Sequence, residues 1–164
     1  MSSAAEKIET TSLREGAAAP DFTLPTDDGS ITLSSLRGKN VVVYFYPKDD
    51  TPGCTKQACA ARDLKAEFDK ANTVVIGISK DDAKSHGKFR SKFGLLHIMA
   101  SDADTAVCQA FGAWGEKSMY GKKYMGIMRN AYLIDKAGVL VKQWRNVKPE
   151  GSLEAALEAA QKLA

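Results

Sequence analysis

Asn40-Val41-Val42-Val43-Tyr44-Phe45-Tyr46, running straight into Pro47-Lys48-Asp49-Asp50-Thr51-Pro52-Gly53-Cys54, decides the fold of this chain. The first seven residues are an unbroken β-branched and aromatic run, the pattern of a strand buried on both faces. The residues after them read as a loop entering a helix. Thr51 is a good N-cap, and Pro52 suits the first helical position, where its missing N–H would have no partner anyway. Leu64, Phe68 and the alanines around them extend an apolar stripe to about Lys70.

Upstream, Phe22-Thr23-Leu24 and Ile31-Thr32-Leu33 flank Asp28-Gly29, a hairpin signal. Downstream, Thr73 to Ser79 reads as a second buried strand. Asp81 and Asp82 open a helix that carries Phe89 and Phe93 four residues apart. His97 to Ala100 reads as a third strand and Ala106 to Phe111 as a short helix. Gly112 to Met128, with Gly112, Gly115, Gly121 and Gly126, reads as a long loop. Asn130–Ile134 and Val139–Trp144 form two strands around Lys136-Ala137-Gly138. A last helix starts at Ser152, with Leu153, Ala156, Leu157, Ala160 and Leu163 on one face. The β-α-β part demands parallel neighbours with right-handed crossovers, and the closing hairpin is antiparallel. The expected fold is α/β and thioredoxin-like: a mixed central sheet flanked by helices, with an N-terminal β-hairpin extension.

The chain has 164 residues, enough for one domain with one sizeable core. Residues 1–15 are polar and aperiodic and read as a flexible arm, leaving 16–164 as a single domain. A net charge of +3, with basic and acidic residues interleaved, is no nucleic-acid footprint. The longest apolar run falls far short of the ~20 residues a bilayer span needs. The first residues lack the basic start and apolar stretch of a secretory signal, so the expected location is cytoplasmic.

Three cysteines, Cys54, Cys59 and Cys108, are too few for a disulfide framework, so redox or metal chemistry must be weighed. Cys54 falls in the first turn of the predicted helix, at the carboxyl end of a buried strand. Ligand sites of open α/β sheets lie there. Unpaired N–H groups and the helix dipole favour a thiolate at that position. Thr51 can aim its hydroxyl at the same sulfur, and Pro47 and Pro52 can wall it from water. The Gly53 and Cys54 amides are candidate donors to a developing negative charge. Arg129, just before a strand, is a cation able to reach the helix end.

Pro47, Thr51 and Cys54 form a Pro-x-x-x-Thr-x-x-Cys pattern that resembles the signature of peroxiredoxins. The stretch from Tyr44 to Thr55 resembles the bacterioferritin comigratory protein group, also called peroxiredoxin Q. The likeness extends through Ala18–Leu24, Gly77-Ile78-Ser79, Ser101-Asp102, Phe111-Gly112 and Arg129–Asp135. It implies a thiol peroxidase that reduces hydrogen peroxide and organic hydroperoxides. By the same resemblance Cys54 is the peroxidatic cysteine, oxidised to a sulfenic acid. Cys59 is the resolving cysteine of an intramolecular disulfide. Thr51 and Arg129 orient peroxide and thiolate, and Pro47 shields them. Thioredoxin, or a similar dithiol, is the implied reductant, with no bound cofactor and no metal. The implied partners include neither nucleic acid nor membrane, and a monomer is favoured over a dimer.

Other readings stand beside this one. Cys108 reads as a buried small residue but is the one rival to Cys59 as resolver. A thiol–disulfide oxidoreductase acting on proteins suits the fold, although four residues rather than two separate Cys54 from Cys59. A metal-binding or holdase protein finds little support. His86 is expected on an exposed helix face among Lys and Ser, His97 on a strand, and neither has ligand spacing with the cysteines. Trp114 and Tyr124 could line an organic-peroxide pocket, whereas Trp144 reads as packing.

Overall fold

Thr23–Thr26 (β1) and Gly29–Thr32 (β2) pair antiparallel as the expected hairpin, with Asp27 and Asp28 in the turn. These and the remaining elements belong to a computed structural model that describes residues 13–163. Asn40–Phe45 (β3) has all six residues buried, as its unbroken apolar run demands. Pro52–Asp63 (α1) and Lys65–Lys70 (α2) come after it, parted only at Leu64. Thr73–Ser79 (β4) leads to Ala83–Phe93 (α3). Asp82 caps α3 by accepting from the Ser85 N–H at 2.8 Å, and Gly94 ends it in a left-handed turn. Ile98–Ser101 (β5) and Ala106–Ala110 (α4) come next.

The stretch from Gly112 to Met128 is not the expected loop. It is a separate two-stranded hairpin, Trp114–Met119 (β6) against Lys122–Ile127 (β7). Tyr120 and Gly121 turn it, with φ of +54° and +78°. Positive φ at both central residues is the tight hairpin geometry that matches strand twist. Most of its residues are exposed, so it lacks the apolar alternation that marks a half-buried strand. Ala131–Ile134 (β8), Leu140–Trp144 (β9) and Ser152–Gln161 (α5) complete the chain.

The main sheet has the order β2-β1-β5-β4-β3-β8-β9. β3, β4 and β5 run parallel, and the flanking pairs are antiparallel. Side chains of β3 alternate between two cores. Val41, Val43 and Phe45 join Ile76, Ile78, Phe111 and Tyr132 on one face. Val42, Tyr44 and Tyr46 join Phe68, Phe89, Leu133, Leu153 and Ala156 on the other, with Ala58 and Ala61 of α1. Burying each large side chain contributes on the order of 1.5–3 kcal/mol, which makes β3 a firm support for the loop and helix at its carboxyl end.

Of the arm expected over 1–15, residues 1–12 lie outside the described residues. Leu13 packs against the first core, and the Gly16 N–H donates to the Leu140 carbonyl at 2.8 Å. No described helix is long and apolar enough to cross a membrane.

Candidate active site

Cys54 is the third residue of α1 and is 1% exposed. The first helical amide with a main-chain partner is Thr55, which donates to the Thr51 carbonyl at 2.8 Å. Pro52 has no N–H, so Gly53 and Cys54 carry the amides that precede the first bonded turn. Thr51 does not cap them with its side chain. Its Oγ1 donates to the Lys48 carbonyl at 2.8 Å, and no hydrogen bond joins it to the Cys54 sulfur among the described residues. With its proton committed, that oxygen offers only lone pairs. Pro47 is half-buried where β3 gives way to the loop.

Arg129 is brought to the sulfur from the far side. Its carbonyl accepts from the Val147 N–H at 2.8 Å, and the next residue, Asn130, accepts on its own carbonyl from Phe45 at 2.8 Å. Asn130 is buried, and its Oδ1 accepts from the Asn146 N–H at 2.8 Å. The guanidinium then donates Nη2 to Cys54 Sγ at 3.4 Å and Nη1 to Gln57 Oε1 at 2.7 Å. A cation and a helix N-terminus thus face one sulfur, an arrangement that stabilises negative charge there.

Gln57 is fully buried, and its Nε2 donates to Ser152 Oγ at 3.0 Å. One amide therefore aims Arg129 and ties α1 to the start of α5. Gly53 makes room for this approach: a Cβ there would stand 2.9 Å from Pro149 Cγ and 3.3 Å from Arg129 Nη2. Lys117 of β6 adds a second cation, its Nζ held by the Ile127 carbonyl at 2.9 Å. Burial and the nearby Arg129 charge hold its pKa below the ordinary lysine value, and Cys54 partly offsets them. Tyr44 lies beneath, its phenol kept protonated by burial and by the charge of Cys54.

The sequence reading gathers Pro47, Thr51, Cys54 and Arg129, and misses Gln57 and Lys117. Cys59 is further along α1, partly exposed, in a groove with Lys56, Leu64, Pro149 and Glu154. All three cysteines are free thiols. Cys108 is fully buried in the core on the opposite face of the sheet from Cys54. Burial and the Asp102 carboxylate push its pKa up.

The placing of His86 needs correction. It is fully buried rather than exposed, because it shares the inward face of α3 with Phe89 and meets the carboxylate of Asp49 at 2.7 Å. His97 lies just before β5, bonded to Tyr44 Oη at 2.8 Å, and burial pushes its pKa down to about 3. No three His, Cys, Asp or Glu among the described residues could hold a metal ion. Trp144 packs on the second core and Trp114 on the first, while Tyr120 and Tyr124 are exposed.

A strand-end loop, a thiol at a helix N-terminus and an arginine crossing to it define a class. Residues 16–143 match the AhpC/TSA family, and the chain belongs to that family. Peroxiredoxin Bcp of Bacillus subtilis is 44% identical over 144 residues, covering 87% of this chain and 92% of the relative. A Xanthomonas campestris bacterioferritin comigratory protein, solved in a trapped intermediate/ligand complex for its alkyl peroxide reduction activity, superposes with a TM-score of 0.82. It is 40% identical and covers 87% of this chain and 91% of its own. A cysteine-to-serine mutant of Xylella fastidiosa peroxiredoxin Q gives 0.86 at 33% identity, covering 92% and 97%. The chain is thus a thioredoxin-like peroxiredoxin of the bacterioferritin comigratory protein group, and its chemistry is that of a thiol peroxidase.

Proposed function

We propose that Cys54 is the nucleophile, that Cys59 resolves it, and that a dithiol such as thioredoxin recycles the pair. The observation that carries this reading is the Cys54 sulfur on the first turn of α1 with Arg129 Nη2 at 3.4 Å. The thiolate attacks one peroxide oxygen, the O–O bond breaks, and the other oxygen leaves as water or alcohol once it gains a proton. Thr51 Oγ1, its hydrogen given to Lys48, accepts from the peroxide O–H. Arg129 and the Gly53 and Cys54 amides stabilise the charge passing to the leaving oxygen. Pro47 limits the entry of water.

The product is a sulfenic acid on Cys54. Cys59 attacks that sulfur, forming a disulfide and releasing water. The partly exposed position of Cys59 supports the approach of a dithiol reductant. The near-complete burial of Cys54 favours a small hydroperoxide over a protein disulfide as substrate, which counts against the oxidoreductase reading. The Xanthomonas relative's alkyl peroxide activity supports organic hydroperoxides as well as hydrogen peroxide. An odd, low count of three cysteines, too few for a disulfide framework, suits a reducing compartment such as the cytoplasm, and the proposed state is a monomer.

Cys54→Ser tests the assignment. Peroxide consumption with thioredoxin as reductant should vanish while the fold persists. Near-normal turnover in that variant would place the nucleophile elsewhere.

A further inference from the structure

A second polar constellation is buried where the loop after β3 meets α3. Asp49 lies midway between Pro47 and Thr51 and is 7% exposed. Its Oδ1 accepts from Tyr46 Oη at 2.6 Å; its Oδ2 accepts from Ser85 Oγ at 2.8 Å and faces His86 Nδ1 at 2.7 Å. Its own N–H donates to Asp81 Oδ2 at 2.7 Å. The neighbouring Asp50 holds φ at +58° and pairs with Lys92 at 2.8 Å. Positive φ is uncommon outside glycine, and aspartate is among the residues that adopt it most readily.

The other ring nitrogen of His86, Nε2, lies 3.2 Å from the Ala100 carbonyl. A backbone carbonyl accepts and never donates. Burial alone would raise the Asp49 pKa, but hydrogen bonds from His86, Tyr46 and Ser85 hold it below the usual carboxylate value. Both ring nitrogens therefore face oxygen acceptors. The other charged or titratable groups around His86 are Tyr46 from the end of β3, Asp27 already paired with Arg90, and neutral His97. The result is a buried histidine–carboxylate pair that bridges α3, β5 and the loop.

Such a pair is a poor source of stability compared with well-packed apolar residues. What it supplies here is a single geometry for the loop. We propose that Asp49 and His86 are positioning residues of the peroxidase site: their pairing fixes the loop from Tyr46 to Thr51 and so sets Pro47 and Thr51 against Cys54. This rests on Cys54 being the nucleophile.

The test compares two reactions of the reduced protein. Stopped-flow oxidation by hydrogen peroxide needs Thr51 and Pro47 in place. Alkylation of Cys54 by iodoacetamide, read by peptide mass, reports the thiolate alone. Asp49→Asn is nearly isosteric and removes the charge. It should slow peroxide attack on the order of ten- to a hundredfold, the scale of a small misplacement of reacting groups. Alkylation should change by less than about twofold. Ser85→Ala removes one donor to the same oxygen and should shift the ratio in the same direction by a smaller factor; it decides the matter if Asp49→Asn does not fold. His86→Gln, still able to donate to Asp49, should retain more of the peroxide rate than His86→Leu. An unchanged peroxide rate, or equal losses in both reactions, overturns the proposal. Cys54→Ser, run alongside, separates this failure from loss of the nucleophile assignment, since only the latter predicts residual peroxide consumption there.

Discussion

Arg129 touches the sulfur directly, so its removal reads the worth of one fixed donor. Arg129→Ala should slow peroxide attack by about 10²–10³, or about 2.7–4 kcal/mol, in stopped-flow measurements. Gly53→Ala should act through crowding, because its Cβ would meet Pro149 and Arg129. A loss on the order of tenfold in the same step is expected, with thermal stability little changed. Pro47, Thr51 and Cys54 are legible as a group because strand end, cap and helix start are contiguous in sequence. Gln57 is not, since its meaning comes from Arg129, 72 positions away. His86 misleads for the same reason: its helix neighbours are Lys and Ser, but its partner is Asp49, 37 positions away.

At the scale of elements, α1 holds both Cys54 and Cys59. Residues five apart on an unbroken α-helix have Cα atoms roughly 8.7 Å apart by helix geometry. A disulfide wants them about 4.4–6.8 Å apart. The first turns of α1 must therefore unwind before Cys54 and Cys59 can bond. Opening costs the Gln57–Ser152 bond and the packing of Ala58 and Ala61 in the second core. Residues from about Thr51 to Arg62 should lose hydrogen-exchange protection on oxidation, while β3 keeps its own. Equal protection of α1 in the reduced and disulfide forms, with the Cys54–Cys59 bond confirmed by mass, would contradict this. Most elements are legible from periodicity and caps. The β6–β7 hairpin escapes because both its faces are largely solvated and its turn is Tyr-Gly, without the Asn or Asp that usually announces one.

Across the whole molecule, the sheet separates two cores and two kinds of cysteine. Cys108→Ser should still form the intramolecular disulfide and turn over, because the sheet stands between Cys108 and Cys54. A sulfenic acid that stalls in that variant would instead make Cys108 the resolver. Acid stability is likewise a property of the assembled fold. Hydrogen bonds and charge from Arg90 hold Asp27 low, and the His86 network does the same for Asp49 against the cost of burial. A carboxylate with a depressed folded pKa contributes stability above its unfolded value, about 3.9, and loses it as pH falls through the folded value. Melting temperature should therefore drop below roughly pH 4, and Asp49→Asn should flatten that acid limb in thermal melts. The mixed sheet and its helices are legible because they arise from local runs. The pairing of loop, α3 and β5 through His86 is not, because it exists only after folding.

Gln57 belongs to α1 but steadies Arg129, which does not. If Cys59 resolves Cys54 as proposed, the helix that opens to form their disulfide carries Gln57 away with it. The spent chain has then taken apart the pocket that would receive another oxidant molecule. It withdraws from competition after one event and rejoins only once it has been reduced and rewound. While reductant lasts, the fraction still wound records the balance between oxidant and reductant; once reductant is gone, each chain is consumed by one oxidant molecule.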